Sequence, residues 1–141
     1  MNIKRTAMTL MAFFVLASTF AVANEKTPAP EGARVYIISP QEGDIVSTKV
    51  AVKFGLSGMG VAPAGTDKAK TGHHHLLIDA DTLPAMDQPM GKNVKHFGGG
   101  QTETTLTLAP GTHTLQLILG DKNHVPHNPP VVSEKITITV K

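Results

Sequence analysis

Short runs in which apolar and polar residues alternate with period two recur along the chain, separated by Gly, Pro, Asn and Asp. This is the pattern of half-buried strands. From Arg34 to Ser39, Val35 and Ile37 alternate with Tyr36 and Ile38, and Pro40-Gln41-Glu42-Gly43-Asp44 follows as a turn. Lys49 to Ser57 sets Val50, Val52, Phe54 and Leu56 on one face. Leu76, Leu77 and Ile78 form a third run, entered through three histidines. Between Gln101 and Leu108, Thr102 and Thr104 alternate against a partner face, which Leu106 and Leu108 complete. Thr112 to Leu119 places Leu115, Leu117 and Leu119 inward, and Val131 to Val140 does the same with Ile136, Ile138 and Val140. No segment keeps a helical period over three turns. The pattern predicts an all-β sandwich with an aliphatic core, since the aromatics beyond residue 23 are only Tyr36, Phe54 and Phe97.

Two local strings sharpen the topology. Ile38-Ser39-Pro40 through Gly43-Asp44-Ile45-Val46 resembles the first strand and turn of secreted bacterial immunoglobulin-like modules, and Leu106 to Leu115, through Ala109-Pro110-Gly111, resembles their fifth strand, corner and sixth strand. An immunoglobulin-like antiparallel β-sandwich of about seven strands is therefore expected over 33–141. Its strands fall at about 33–39, 48–57, 73–79, 101–108, 112–120 and 131–140, and the irregular stretch 80–100 leaves room for a short edge strand.

The start of the chain changes how its charge is read. Residues 1–23 carry a basic tip (Lys4, Arg5), an apolar stretch from Ala7 to about Val22 and the small-residue exit Ala21-Val22-Ala23, the three parts of a cleavable signal peptide. Removing Lys4 and Arg5 from the 13 basic residues leaves 11 against 11 acidic ones. The mature chain is then neutral, which gives no electrostatic footprint for nucleic acid or for an anionic membrane. Residues 24–32, with Pro28 and Pro30, read as a flexible leader. A periplasmic or secreted monomer without a membrane anchor after cleavage is expected. The absence of Cys excludes disulfides, thiolate zinc sites and iron–sulfur clusters.

The seven histidines are the chemical signal. In the expected topology the connections preceding 73–79, preceding 101–108 and joining 112–120 to 131–140 crowd one pole. That pole collects His73, His74, His75, His96, His124 and His127. His73 and His75 share a face, and an i, i+2 pair on a strand is a good chelate. His74 then shares the other face with Leu76 and Ile78, unless Leu77 faces the core, in which case the roles swap. Pro126, Pro129 and Pro130 stiffen the loop that carries His124 and His127. The expected metal ligands are His73, His75, His96, His124 and His127, for copper or zinc, with copper favoured by the lack of Cys and by the soft thioethers of Met59, Met86 and Met90. Asp121 either orients an imidazole, serves as an oxygen ligand or caps a turn. His113, beside the Pro110-Gly111 corner, reads as a hydrogen-bonded corner residue.

Weaker features add little. Gly98-Gly99-Gly100 lacks the strand-to-helix context of a phosphate loop and reads as a hinge. Asp79 and Asp81 lack the further acidic positions of a calcium loop. Ser57 and Ser133 have no nucleophile-elbow context.

Gly72-His73-His74-His75-Leu76-Leu77-Ile78-Asp79, Phe97-Gly98-Gly99-Gly100-Gln101-Thr102-Glu103 and Gly111-Thr112-His113-Thr114-Leu115-Gln116-Leu117 together resemble a bacterial exported family, the domain of unknown function numbered 4399, over Val35 to Val140. The resemblance implies a small exported domain and carries no catalytic assignment. Three functions are open at this level. The leading one is a module whose histidine-rich pole binds a metal ion, the second an envelope module binding a protein, glycan or small anion through the same loops. The third is an enzyme, for which no paired carboxylate stands beside a nucleophile.

Overall fold

The computed structural model describes residues 25–141, so the expected signal peptide at 1–23 lies outside the described residues. The described residues contain strands and no helix, and therefore no helix long and apolar enough to cross a membrane. The strands are β1 (Arg34–Ser39), β2 (Ile45–Val46), β3 (Lys49–Ser57), β4 (Gly60–Val61), β5 (Thr71–Ile78), β6 (Lys95–His96), β7 (Glu103–Thr107), β8 (Gly111–Gly120) and β9 (Ile136–Val140). One sheet has the order β1-β3-β7, and the other runs β2-β9-β8-β5-β4 with β6 also paired to β5. The protein is an all-β sandwich whose strand order is compatible with an immunoglobulin-like sheet pair, and the expected antiparallel pairing is broken where the two-residue strands β2 and β4 join β9 and β5 in parallel.

Alternation builds the core between the sheets. Val50, Val52 and Phe54 of β3 are buried while Lys49, Ala51 and Lys53 are exposed. They meet Leu76 of β5, Leu115, Leu117 and Leu119 of β8, and Ile138 and Val140 of β9.

Strand β5 departs from alternation, being buried from Gly72 through Leu77. A strand covered on both faces must have a second layer outside the sheet. Here Leu77 and Ile118 turn outward against Val94, with Met86 and Met90 packed on them. The segment between β5 and β6 thus lies over the outer face, and it ends in the expected short edge strand, β6, whose His96 stands opposite His75.

Two expectations need adjustment. The last strand begins at Ile136 and not at 131, because Ser133 breaks into the ladder. Its hydroxyl accepts from the Leu117 N–H at 2.8 Å, and its own N–H donates to the Leu117 carbonyl at 2.9 Å. The leader expected to be flexible is tied at Thr27 to Ala29. The Ala29 N–H donates to the Asn128 carbonyl at 3.0 Å, the Asn128 N–H donates to the Thr27 carbonyl at 2.9 Å, and the Thr27 hydroxyl donates to Asp121 Oδ2 at 2.6 Å.

Candidate metal centre

His73 and His75 project from one face of β5, and His74 from the other, where its ring lies 5.1 Å from that of Phe54. Leu77 shares the outer face with the pair, so the i, i+2 parity works as expected. β6 brings His96 against His75, with ring centroids 5.1 Å apart. The loop after β8 brings His124, whose centroid lies 5.0 Å from that of His73 and 4.5 Å from that of His96.

The His124 loop is held by Asp121. Its Oδ1 accepts the N–H groups of Asn123 at 2.8 Å and Val125 at 3.0 Å, while the Asp121 N–H donates to the Val125 carbonyl at 2.9 Å. This tight turn puts His124 in the left-handed region, at φ 65°. Asp121 therefore acts as a turn cap, and both its oxygens are occupied by the loop and by Thr27. Burial alone would raise its pKa, but these hydrogen bonds hold it below the ordinary range.

One donor nitrogen from each of His73, His75, His96 and His124 lies within 4.8 Å of the other three. His73 Nε2 stands 3.1 Å from His124 Nδ1 and 3.2 Å from His96 Nε2. Four nitrogens held about 2.0–2.1 Å from a shared ion stand about 2.9 Å apart at adjacent square-planar corners and about 3.3 Å apart at tetrahedral ones. These two spacings fall in that window, so the four imidazoles could hold a metal ion.

Hydrogen bonding alone does not satisfy this arrangement. His73 Nε2 carries either one hydrogen or one in-plane lone pair, so it makes one good hydrogen bond and faces the other ring nitrogen without one. His75 is 1% exposed and neither of its nitrogens has a partner. An unsatisfied buried polar group costs about 1–3 kcal/mol. A cation at the centre would take all four lone pairs at once.

For three of the four rings the surroundings favour the neutral form. Burial, then repulsion from His124 and His96, lowers the His73 pKa to about 4 despite an opposing pull from Asp121. Burial, then repulsion from His73, His96 and His124, brings His75 to about 3. His96 is lowered by burial and by His124. Neutral imidazole is the form that binds a metal.

The remaining histidines lie elsewhere. His127, expected as a ligand, is not brought into the group. Its Nε2 donates to the Thr71 carbonyl at 3.1 Å, and its ring lies under Gly72, supporting the start of β5. His74 is fully buried with neither ring nitrogen partnered, and burial lowers its pKa, with the Gln101 backbone offsetting only part of the shift. His113 Nδ1 stands 2.7 Å from Asp79 Oδ2 and its Nε2 2.8 Å from the Ala109 carbonyl. Both partners accept hydrogen bonds, an arrangement that favours the imidazolium form, and the bond to Asp79 raises the His113 pKa.

Two glycines make room for the rings: Gly120, which carried no expectation, and Gly98, expected as part of a hinge. A Cβ at Gly120, which pairs with His73 across the β5–β8 ladder, would stand 2.6 Å from His75 Cε1 and 2.9 Å from the Met90 methyl. A Cβ at Gly98 would stand 2.6 Å from His96 Nε2. Neither glycine has a positive φ, so space and not backbone conformation is what these positions provide. The signal was present in the sequence as Gly at a strand end beside a histidine cluster.

Beside the rings is an open cavity of about 330 Å³ lined by His75, His96, His124, Met90, Lys92 and Val94. No curated protein and no solved structure matches the chain. One family model, described as a domain of unknown function, matches residues 52–141, a span that contains every histidine of the group.

Proposed function

Because the chain belongs to the DUF4399 family of domains of unknown function, its function has to be read from its site, and we propose that it is an exported metal-binding module whose His73, His75, His96 and His124 hold copper or zinc. The observation that carries this reading is the approach of four imidazole donors to within 4.8 Å of one another. The all-nitrogen donor set suits Cu(II) and Zn(II), whereas calcium and magnesium take oxygen ligands. Export rests on the signal-like segment 1–23, and the mass of the protein recovered from the cell envelope tests it. A chain beginning at Asn24 supports export, and an intact Met1 in the cytoplasmic fraction opposes it.

Calorimetric titration with Cu(II) and with Zn(II) tests the metal site. One ion per chain is expected, with affinity lost in a His73→Ala/His124→Ala variant. Equal binding by the wild type and that variant would end the proposal.

A further inference from the structure

The methionines whose thioethers favoured copper are dispersed in the structure. Met59 packs on the core between the sheets, and Met86 on the outer-face layer. Met90 alone among them lines the cavity at the imidazoles. Its backbone N–H donates to the His124 carbonyl at 2.9 Å, which fixes the segment between β5 and β6 against the loop that presents His124. Its methyl carbon and His75 Cε1 both lie within 3.0 Å of the point where a Gly120 Cβ would stand, so side chain and ring are neighbours. Gly120 thus admits the thioether as well as the imidazole.

A thioether in this place has no hydrogen bond to make, and a Met side chain has three rotatable bonds with which to turn its sulfur. Sulfur is a soft donor that favours Cu(I), whereas imidazole binds Cu(II), Zn(II) and Cu(I) alike. From the juxtaposition of Met90 with His75, His96 and His124 around one cavity we propose that Met90 Sδ is a ligand of this centre, which makes it a Cu(I) site of mixed imidazole and thioether donors. The inference rests on the four-histidine reading and adds to it the oxidation state of the metal.

The test compares wild type, Met90→Leu and Met86→Leu in anaerobic Cu(I) competition against a chromophoric chelator, with Zn(II) titration and copper X-ray absorption alongside. Leu keeps the apolar packing on Leu77, Val94 and Ile118, as volume-conserving swaps of this kind do. We expect a sulfur scatterer on Cu(I) in wild type and in Met86→Leu and its loss in Met90→Leu. Cu(I) affinity in Met90→Leu should fall at least about tenfold, the low end of what supporting groups contribute to metal sites, with Zn(II) affinity unchanged. A Cu(I) shell of nitrogen alone, or equal Cu(I) affinity in Met90→Leu and wild type, overturns the proposal while leaving the histidine site standing. Failure of wild type to bind Zn(II), Cu(II) or Cu(I) would instead remove the underlying reading.

Discussion

At the scale of single residues, two histidines one position apart on β5 face opposite costs. His75 and His74 are both buried without hydrogen-bond partners, but His75 points at three other imidazoles and His74 at Phe54 and the core. Replacing His74 with Leu should leave Zn(II) affinity unchanged and hold or raise the stability of the metal-free protein by about 1 kcal/mol, because it removes unsatisfied buried polar atoms. Urea unfolding and calorimetry on the same preparation read both, and a loss of metal affinity would show that His74 takes part in the centre. Gly120→Ala should act in the opposite way. Its methyl group would meet His75 and Met90, costing about 1–3 kcal/mol as overpacking and at least about tenfold in Zn(II) affinity through displacement of a ligand. Unchanged affinity would show that the ring adjusts freely.

At the scale of elements, the β8–β9 loop is the part most dependent on long-range contacts. Asp121 closes its turn and receives Thr27 from the leader. Asp121→Asn removes the charge and part of the acceptor capacity, so it should release His124 and weaken metal binding about 10–100-fold. Truncation before Ala29 should do so less, because it removes the two Thr27 bonds, to Asp121 and from Asn128, but leaves Asp121 bonded to Asn123 and Val125. Calorimetry of both variants orders the effects, and the reverse order would place the control in the leader. Much of this architecture was legible in the sequence. That His73 and His75 share a face followed from period-two alternation, and their pole from the turn signals that set the topology. Which face meets the core stayed open there, and the structure points Leu76 inward and Leu77 outward. The separation of His124 from His127 did not, because it depends on the turn closed by Asp121 and on a left-handed residue at 124. The path of the segment carrying Met90 was equally hidden. It is set by packing on Leu77 and Ile118, which a continuous apolar run on a strand does not announce.

For the molecule as a whole, the histidines of the two poles respond to pH in opposite senses. His73 and His75 have folded-state pKa values near 4 and 3, below the 6.5 of free imidazole. The unfolded chain takes up those protons first, so their contribution to stability is fully present above about pH 6.5 and is lost as pH falls toward the folded values. His113, raised by its bond to Asp79, contributes below about pH 6.5 and loses that contribution as pH rises through its folded value. The midpoint of urea unfolding of the metal-free protein should therefore fall between about pH 7 and pH 4. His73→Ala/His75→Ala should flatten the fall, and an identical slope in that variant would assign it to other groups. The fold thus places a group of poorly satisfied imidazoles at one pole and a fully hydrogen-bonded histidine at the other. Long-range proton–nitrogen correlation NMR of the histidine side chains, recorded as Zn(II) is added, tests this division most directly. The ring nitrogens of His73, His75, His96 and His124 should shift to metal-bound values together at one equivalent while those of His74, His113 and His127 stay in place. Zn(II) leaving the four unchanged, or binding first at His113 or His127, would contradict it.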